Sequence, residues 1–164
     1  MKELPKVLKS NTKIRFQDCD PFNHLNNAAY LNYFTNARED QINENYGIDI
    51  YKMAKELGVS WVVGSNQIAY ITPAFLMEEI VIESQLLNYI TTSLFVELRM
   101  WNHDQTKIKA IMWSRFVHFN LIKQKRENHS DQIMKLFERV HKPVDALRFE
   151  DRVTFFKKFK VATV

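Results

Sequence analysis

One long helical pattern, followed by a series of strand patterns, constrains the fold of this chain more than any other feature. Apolar residues recur at helical spacing from about Asn27 to Tyr46, and Gly47 follows as a C-cap residue. A first strand pattern, at about 12–18, precedes the helix. Later strand patterns cover about 60–71, 79–87, 93–101 and 108–119. This order predicts an α+β domain with an antiparallel sheet, and the pattern alone permits several helix-on-sheet folds.

Shorter patterns complete the predicted secondary structure. Residues 1–10 resemble a polar leader, and 50–57 is predicted to form a short helix ended by Gly58. An amphipathic helix is expected from Ser130 to Val140, followed after Pro143 by a basic aromatic tail. With 164 residues, 46% of them hydrophobic, the chain is expected to form one domain over 1–164. Its core would cover about 10–122 and a helical tail about 128–164.

A polar turn lies between the first strand and the long helix, and it is the candidate site of chemistry. Within ten residues it contains Asp18, Asp20, Asn23, His24, Asn26 and Asn27. The first N–H groups of a helix lack partners and carry the positive end of its dipole, so they can stabilise an oxyanion. A carboxylate just before them can attack a carbonyl or activate water, and Asp20 has that position. Asn26 or Asn27 is predicted to be the N-cap.

Each of these residues also has a purely structural interpretation. Asp20 could serve as an ordinary turn aspartate, and Asp18 is expected to bond turn amides. His24 could act as a general base, since imidazole titrates near neutral pH, or could hold the turn through hydrogen bonds. Asn27 would matter mainly through its backbone N–H.

The same residues carry a resemblance to a known family. Five segments resemble the signature of the hotdog-fold acyl-CoA thioesterases of the 4-hydroxybenzoyl-CoA thioesterase type. They are Asp18-Cys19-Asp20, His24-Leu25-Asn26-Asn27, Tyr30, Tyr33-Phe34 and Ala37-Arg38. The resemblance is tight over about the first forty residues and looser over about the next eighty. It implies a hotdog fold, in which an antiparallel sheet wraps around one long central helix. It also implies that Asp20 is the catalytic carboxylate and that the Asn27 N–H polarises the thioester carbonyl.

The resemblance implies an enzyme that hydrolyses an acyl-CoA to a carboxylic acid and coenzyme A. Coenzyme A would be part of the substrate, and no metal or other cofactor is expected. Assembly as a homodimer or homotetramer is implied, with the acyl site between helices of neighbouring subunits. Two alternatives remain: an acyl-binding protein without turnover, and a thioesterase for acyl carrier protein that uses an Asn-His pair such as Asn23-His24.

Composition narrows the possible classes of protein and of site. The single cysteine, Cys19, excludes an intrachain disulfide and a thiolate zinc cluster, which suggests a reduced compartment. Neither a signal peptide nor an apolar run of about 18 residues is present, so a cytoplasmic location without membrane association is expected. The net charge of +4 is not accompanied by a nucleic-acid-binding motif, so no nucleic-acid partner is expected. Lys123, Lys125 and Arg126 are interpreted as a solvated loop or as phosphate contacts for coenzyme A, and His118 as a core or interface histidine.

Overall fold

A computed structural model describes residues 3–158 as one antiparallel sheet and the helices that pack on it. The strands are β1 (Val7–Lys13), β2 (Val59–Tyr70), β3 (Glu79–Ile90), β4 (Ser93–Asn102), β5 (Ile108–Asn120) and β6 (Lys125–Arg126). The helices are α1 (Ala29–Tyr46), α2 (Ile50–Leu57), α3 (Asp131–Val140) and α4 (Phe149–Lys158). The strand order is β1-β3-β4-β5-β2, with β6 paired to β5.

The main core lies between α1 and one face of the sheet. Tyr30 and Phe34 of α1 are buried in one apolar cluster with Ile82, Leu98 and Met112 of the three central strands. Burial of each such side chain stabilises the fold by about 1.5–3 kcal/mol. The predicted α+β architecture, with a sheet wrapped around one long helix, is confirmed.

The first strand begins earlier than predicted. β1 covers Val7–Lys13, so the expected polar leader contributes most of it, and Phe16–Asp18 form a short 3-10 helix instead. β1 is an edge strand that pairs only with β3 among the described residues. Such a strand needs few apolar residues because one side remains in water, and in β1 Leu8 alone is fully buried.

The start of α1 also differs from the prediction. The helix begins at Ala29, and Ala28 occupies the N-cap position without a side-chain hydrogen bond. Asn26 nevertheless caps the approach, because its Oδ1 accepts the N–H of Ala28 at 3.0 Å. At the other end Gly47 adopts a φ of 69°, the left-handed C-cap conformation that the sequence predicted.

The sequence predicts a helical tail over about 128–164 without placing a helix in its aromatic part, and the structure has a second helix there, α4. α4 packs Phe149 and Phe156 against Trp101 and Trp113, two side chains of β4 and β5. Residues 159–164, which end both the tail and the predicted domain, lie outside the described range. Between residues 3 and 158, no helix has both the length and the apolar character needed to cross a membrane.

Candidate active site

The polar turn before α1 is a tight loop closed by its own main chain. The N–H of Asp20 donates to the carbonyl of His24 at 2.8 Å, and the N–H of Asn23 donates to the carbonyl of Asp20 at 3.1 Å. Pro21 presets the backbone at the second position of this turn. Asn23 adopts a φ of 61°, a left-handed conformation that asparagine tolerates better than most residues. The local sequence therefore determines the shape of the turn.

The two oxygens of the Asp20 carboxylate have different environments. Oδ1 accepts the main-chain N–H of Phe22 at 2.8 Å and that of His24 at 3.0 Å. Oδ2 accepts no hydrogen bond from any residue in the range 3–158. One oxygen thus holds the turn, as in the structural interpretation, while the other is free to act on a ligand. A structural role of Oδ1 therefore does not exclude a chemical role of Oδ2.

Asp20 opens into a cleft of about 210 Å³. The cleft is lined by Asp20, His24, Leu25, Asn27, Tyr30, Tyr70, Ile71, Thr72 and Pro73. All three candidate site residues from the sequence, Asp20, His24 and Asn27, therefore border one space. The opposite wall comes from the end of β2 and the loop after it.

Asn27 lines this cleft, and its two main-chain groups differ in their hydrogen bonds. It is exposed and lies two residues before the first residue of α1. Its carbonyl accepts the Tyr70 hydroxyl at 2.9 Å, whereas its N–H donates to no other described residue. An N–H at a helix start without a protein partner is a suitable donor for an oxyanion.

Two tyrosines of the cleft had not been assigned to the site from the sequence. Tyr30 accepts the N–H of Ala74 at 3.2 Å, and its ring meets that of Tyr70 edge to face at 5.0 Å. Burial raises the pKa of Tyr30, so this phenol stays protonated at neutral pH. Tyr30 is part of the family signature, and Tyr70 falls near the end of the strand predicted over about 60–71. Together they tie the start of α1 to the end of β2.

The His24 side chain is held by packing. Its ring contacts Phe75 edge to face at 5.1 Å and lies 6.5 Å from the ring of Phe22. Its ring nitrogens make no hydrogen bond with the described residues. His24 therefore stabilises the turn through its main chain, and its imidazole borders the cleft without a fixed proton partner.

Asp18 serves the structure of the turn. Its carboxylate accepts the Tyr33 hydroxyl at 2.8 Å, and its carbonyl accepts the N–H of Asn26 at 2.9 Å. The predicted structural role is thus seen, although the carboxylate binds a phenol instead of a turn amide. Asp18 does not line the cleft that contains Asp20.

The remaining sequence candidates lie elsewhere. Lys125 and Arg126 form the exposed strand β6, and neither they nor Lys123 line the Asp20 cleft. His118 is 5% exposed, and its Nδ1 lies 3.0 Å from the carbonyl oxygen of Glu127. This agrees with the interpretation of His118 as a core histidine.

The chain is similar to known proteins in both sequence and structure. Residues 14–144 match the family model of the thioesterase-like superfamily. A search of curated proteins gives no significant match.

Several solved structures share the fold at low sequence identity. The protein SAV2348 from Staphylococcus aureus, solved in complex with CoA, has a TM-score of 0.78 at 12% identity, over 100% of this chain and 99% of that one. The DHNA-CoA thioesterase from Staphylococcus aureus has a TM-score of 0.75 at 14% identity, over 82% and 90%. YbaW, a probable thioesterase from Escherichia coli, has a TM-score of 0.69 at 24% identity, over 82% and 99%.

The family match begins directly after β1, covers the turn and α1, which carry the candidate site, and continues through β2–β6 into the segment after α3. The chain therefore belongs to the thioesterase-like superfamily and is a thioester hydrolase.

Proposed function

We propose that the protein hydrolyses acyl-CoA thioesters to a free carboxylic acid and coenzyme A, with Asp20 as the reacting carboxylate. The observation that carries this proposal is the pairing of two unused groups in one cleft. The Asp20 Oδ2 and the Asn27 N–H both lack protein partners in the described chain and both belong to residues lining the cleft. A thioester carbonyl bound there would meet an acid group and a main-chain donor together.

Two chemical routes follow from this arrangement. In the first, Oδ2 attacks the thioester carbon, the C–S bond breaks, and the coenzyme A thiolate leaves and takes up a proton. Water then hydrolyses the resulting mixed anhydride, which releases the carboxylic acid and restores the Asp20 carboxylate. In the second, Oδ2 takes a proton from a water molecule as the resulting hydroxide adds to the carbonyl. The tetrahedral intermediate then expels the thiolate, which takes up a proton. In both routes the Asn27 N–H stabilises the negative oxygen, and no metal or further cofactor takes part.

The same cleft lies beside an unpaired sheet edge. β2 is a terminal strand of the sheet, and Val62, Val63 and Tyr70 expose 39, 48 and 42% of their surface. A second copy that pairs along β2 would cover this edge, and the residues after Tyr70 that line the cleft would then adjoin the interface. We propose a homodimer, or a homotetramer built from it, as the active form. A monomer in sedimentation at micromolar concentration would contradict this assembly.

Release of free thiol tests the proposed activity. Acetyl-, hexanoyl-, palmitoyl- and benzoyl-CoA should be compared with the same acyl groups on acyl carrier protein. Turnover of at least one acyl-CoA is expected. Saturable binding of acyl-CoA without thiol release would instead identify an acyl-binding protein. Hydrolysis of the carrier-protein substrates alone would show that acyl carrier protein, and not coenzyme A, carries the natural acyl group. The cytoplasmic location remains a prediction from the sequence.

A further inference from the structure

A second cavity lies apart from the Asp20 cleft, between α1, β2 and α3. Its volume is about 130 Å³, and it shares no lining residue with that cleft. Most of its wall is apolar and includes Leu86, Leu94, Leu136 and Phe137. An apolar cavity of about this size can admit a benzene molecule.

One cation interrupts this apolar wall. Arg38, in the middle of α1, lines the cavity and donates through Nη1 to the Ser84 hydroxyl at 2.9 Å. Arginine has five N–H donors, and this is the only hydrogen bond that Arg38 makes with the described side chains. It pairs with no carboxylate among residues 3–158. Arg38 is half-buried, and none of its nitrogens is both buried and without a partner, so its remaining N–H donors are open to an anion that enters the cavity.

The other polar groups of the cavity do not supply that anion. Glu39 also lines the cavity, but its carboxylate accepts the hydroxyl of Tyr51 at 2.7 Å and forms no ion pair with Arg38. Tyr46 donates its hydroxyl to the carbonyl of Pro5 at 2.6 Å. Burial lowers the pKa of Arg38 to about 10, and the guanidinium is therefore still charged at neutral pH.

We propose that this cavity binds an amphipathic carboxylate, with its apolar body against the leucines of the wall and its carboxylate on the Arg38 guanidinium. A carboxylate matches the planar fork of donors that arginine offers. The proposal rests on the thioesterase function for the source of the ligand. The carboxylate would be either the far end of the acyl group of a substrate or the free acid that hydrolysis produces.

The cavity lies close enough to the Asp20 cleft for one ligand to reach both. Within one chain, Arg38 lies nine residues after Ala29, or about 14 Å along the helix. Antiparallel pairing of β2 with a second copy would also bring the Tyr70 end of one strand beside the Trp61 end of the other. Trp61 and Val63 line the cavity, whereas Tyr70 lines the cleft. A cleft in one subunit would then adjoin the cavity of its neighbour.

Binding of octanoate to the full-length protein tests the proposal directly. Trp61 provides the readout, because its indole N–H resonance in NMR should shift when the cavity fills. Octanoate is expected to bind more tightly than octanamide. The Arg38→Met variant should weaken octanoate binding at least about tenfold, since it removes a charge-assisted contact. The Lys52→Met variant removes one exposed charge from the neighbouring α2 and should bind as the wild type does.

A second variant keeps the test independent of the charge on α1. Leu136→Trp fills the cavity from α3 and should abolish octanoate binding even if Arg38→Met fails to fold. The Asp20→Asn variant should bind octanoate normally, so that failure of the cavity proposal and failure of the thioesterase proposal can be told apart. Octanoate that does not bind, or that binds equally to Arg38→Met and to the wild type, would overturn the proposal.

Turnover then distinguishes the two sources of the carboxylate. If the cavity takes the end of the acyl group, Arg38→Met should lower kcat/KM for an ω-carboxyacyl-CoA far more than for the alkyl acyl-CoA of equal length. If it takes the product, Arg38→Met should relieve inhibition by the free acid and leave both substrates equally affected. Either pattern supports the carboxylate site. An Arg38→Met variant that shows neither pattern contradicts it.

Discussion

The main-chain N–H of His24 donates to the Asp20 Oδ1 at 3.0 Å. The side chain proposed to react with the thioester is thus also the one that closes the turn. An asparagine at this position retains an oxygen that can accept the two N–H groups of the turn, but it has no negative charge. An alanine would lose both properties. The asparagine variant therefore separates chemistry from structure.

We expect Asp20→Asn to lower kcat for acyl-CoA hydrolysis by at least about 100-fold, the range of a lost general base or nucleophile, with a smaller change in KM. Its thermal unfolding midpoint should stay close to that of the wild type. Asp18→Asn is the matched control, because Asp18 binds the Tyr33 hydroxyl outside the cleft. It should retain most activity. Full activity of Asp20→Asn on every substrate would exclude the proposed role.

The Tyr70 hydroxyl offers a test of the oxyanion donor. Because this hydroxyl donates to the Asn27 carbonyl at 2.9 Å, it positions the peptide groups that precede α1. Tyr70→Phe should lower kcat about three- to tenfold with little change in KM, since a small displacement of a donor weakens transition-state stabilisation. Tyr89→Phe is the control, because Tyr89 lines neither the cleft nor the cavity around Arg38. A loss expressed only in KM would indicate a binding role for Tyr70.

The local part of this site could be predicted from the sequence, and the long-range part could not. Asp20, His24 and Asn27 lie within eight residues, so one turn brings them to one cleft. Tyr70 and Thr72 reach the same cleft from more than forty residues away, and their place depends on the position of β2 in the sheet. No local periodicity contains that information. The catalytic roles of these residues remain predictions.

The same reasoning explains which parts of the fold were predicted correctly and which were not. Gly47 and Gly58 marked helix ends correctly, because both positions need a positive φ that glycine adopts without strain. β1 was placed too late because a polar edge strand lacks a clear alternation. A helical tail was predicted without the bounds of α4, because the stability of α4 depends on partners distant in sequence, such as Trp113 and Glu97.

The contact between α4 and the sheet provides a prediction about stability. Arg152 donates to both oxygens of the Glu97 carboxylate at 2.8 Å, and the Glu97 side chain is fully buried. Arg152→Met should lower the free energy of unfolding by about 1–3 kcal/mol, because Arg99 and Trp113 still bind Glu97. Arg148→Met breaks an exposed pair with Asp151 of α4 and should destabilise the fold much less, because water screens both charges. Urea denaturation compares the two variants, and equal losses would contradict the difference in burial.

His129 gives the chain a predicted pH dependence of stability. Burial, and next the nearby charge of His118, lower the pKa of His129 from 6.5 to about 4. The Trp61 indole donates to His129 Nε2 at 3.0 Å, and this hydrogen bond requires an unprotonated nitrogen. Between pH 6.5 and 4 the unfolded chain binds the proton more readily than the folded one, so stability falls as the pH decreases through this window. The contribution is complete above about pH 7.

The loss over this window should be on the order of 3 kcal/mol, which follows from the difference between the two pKa values. His129→Gln retains an acceptor for the Trp61 indole but does not titrate, so its unfolding free energy should vary less between pH 6.5 and 4. His103→Gln is the matched control, because the His103 side chain is 61% exposed. It should follow the wild-type curve. If His129→Gln showed the wild-type slope as well, another group would be responsible for the titration.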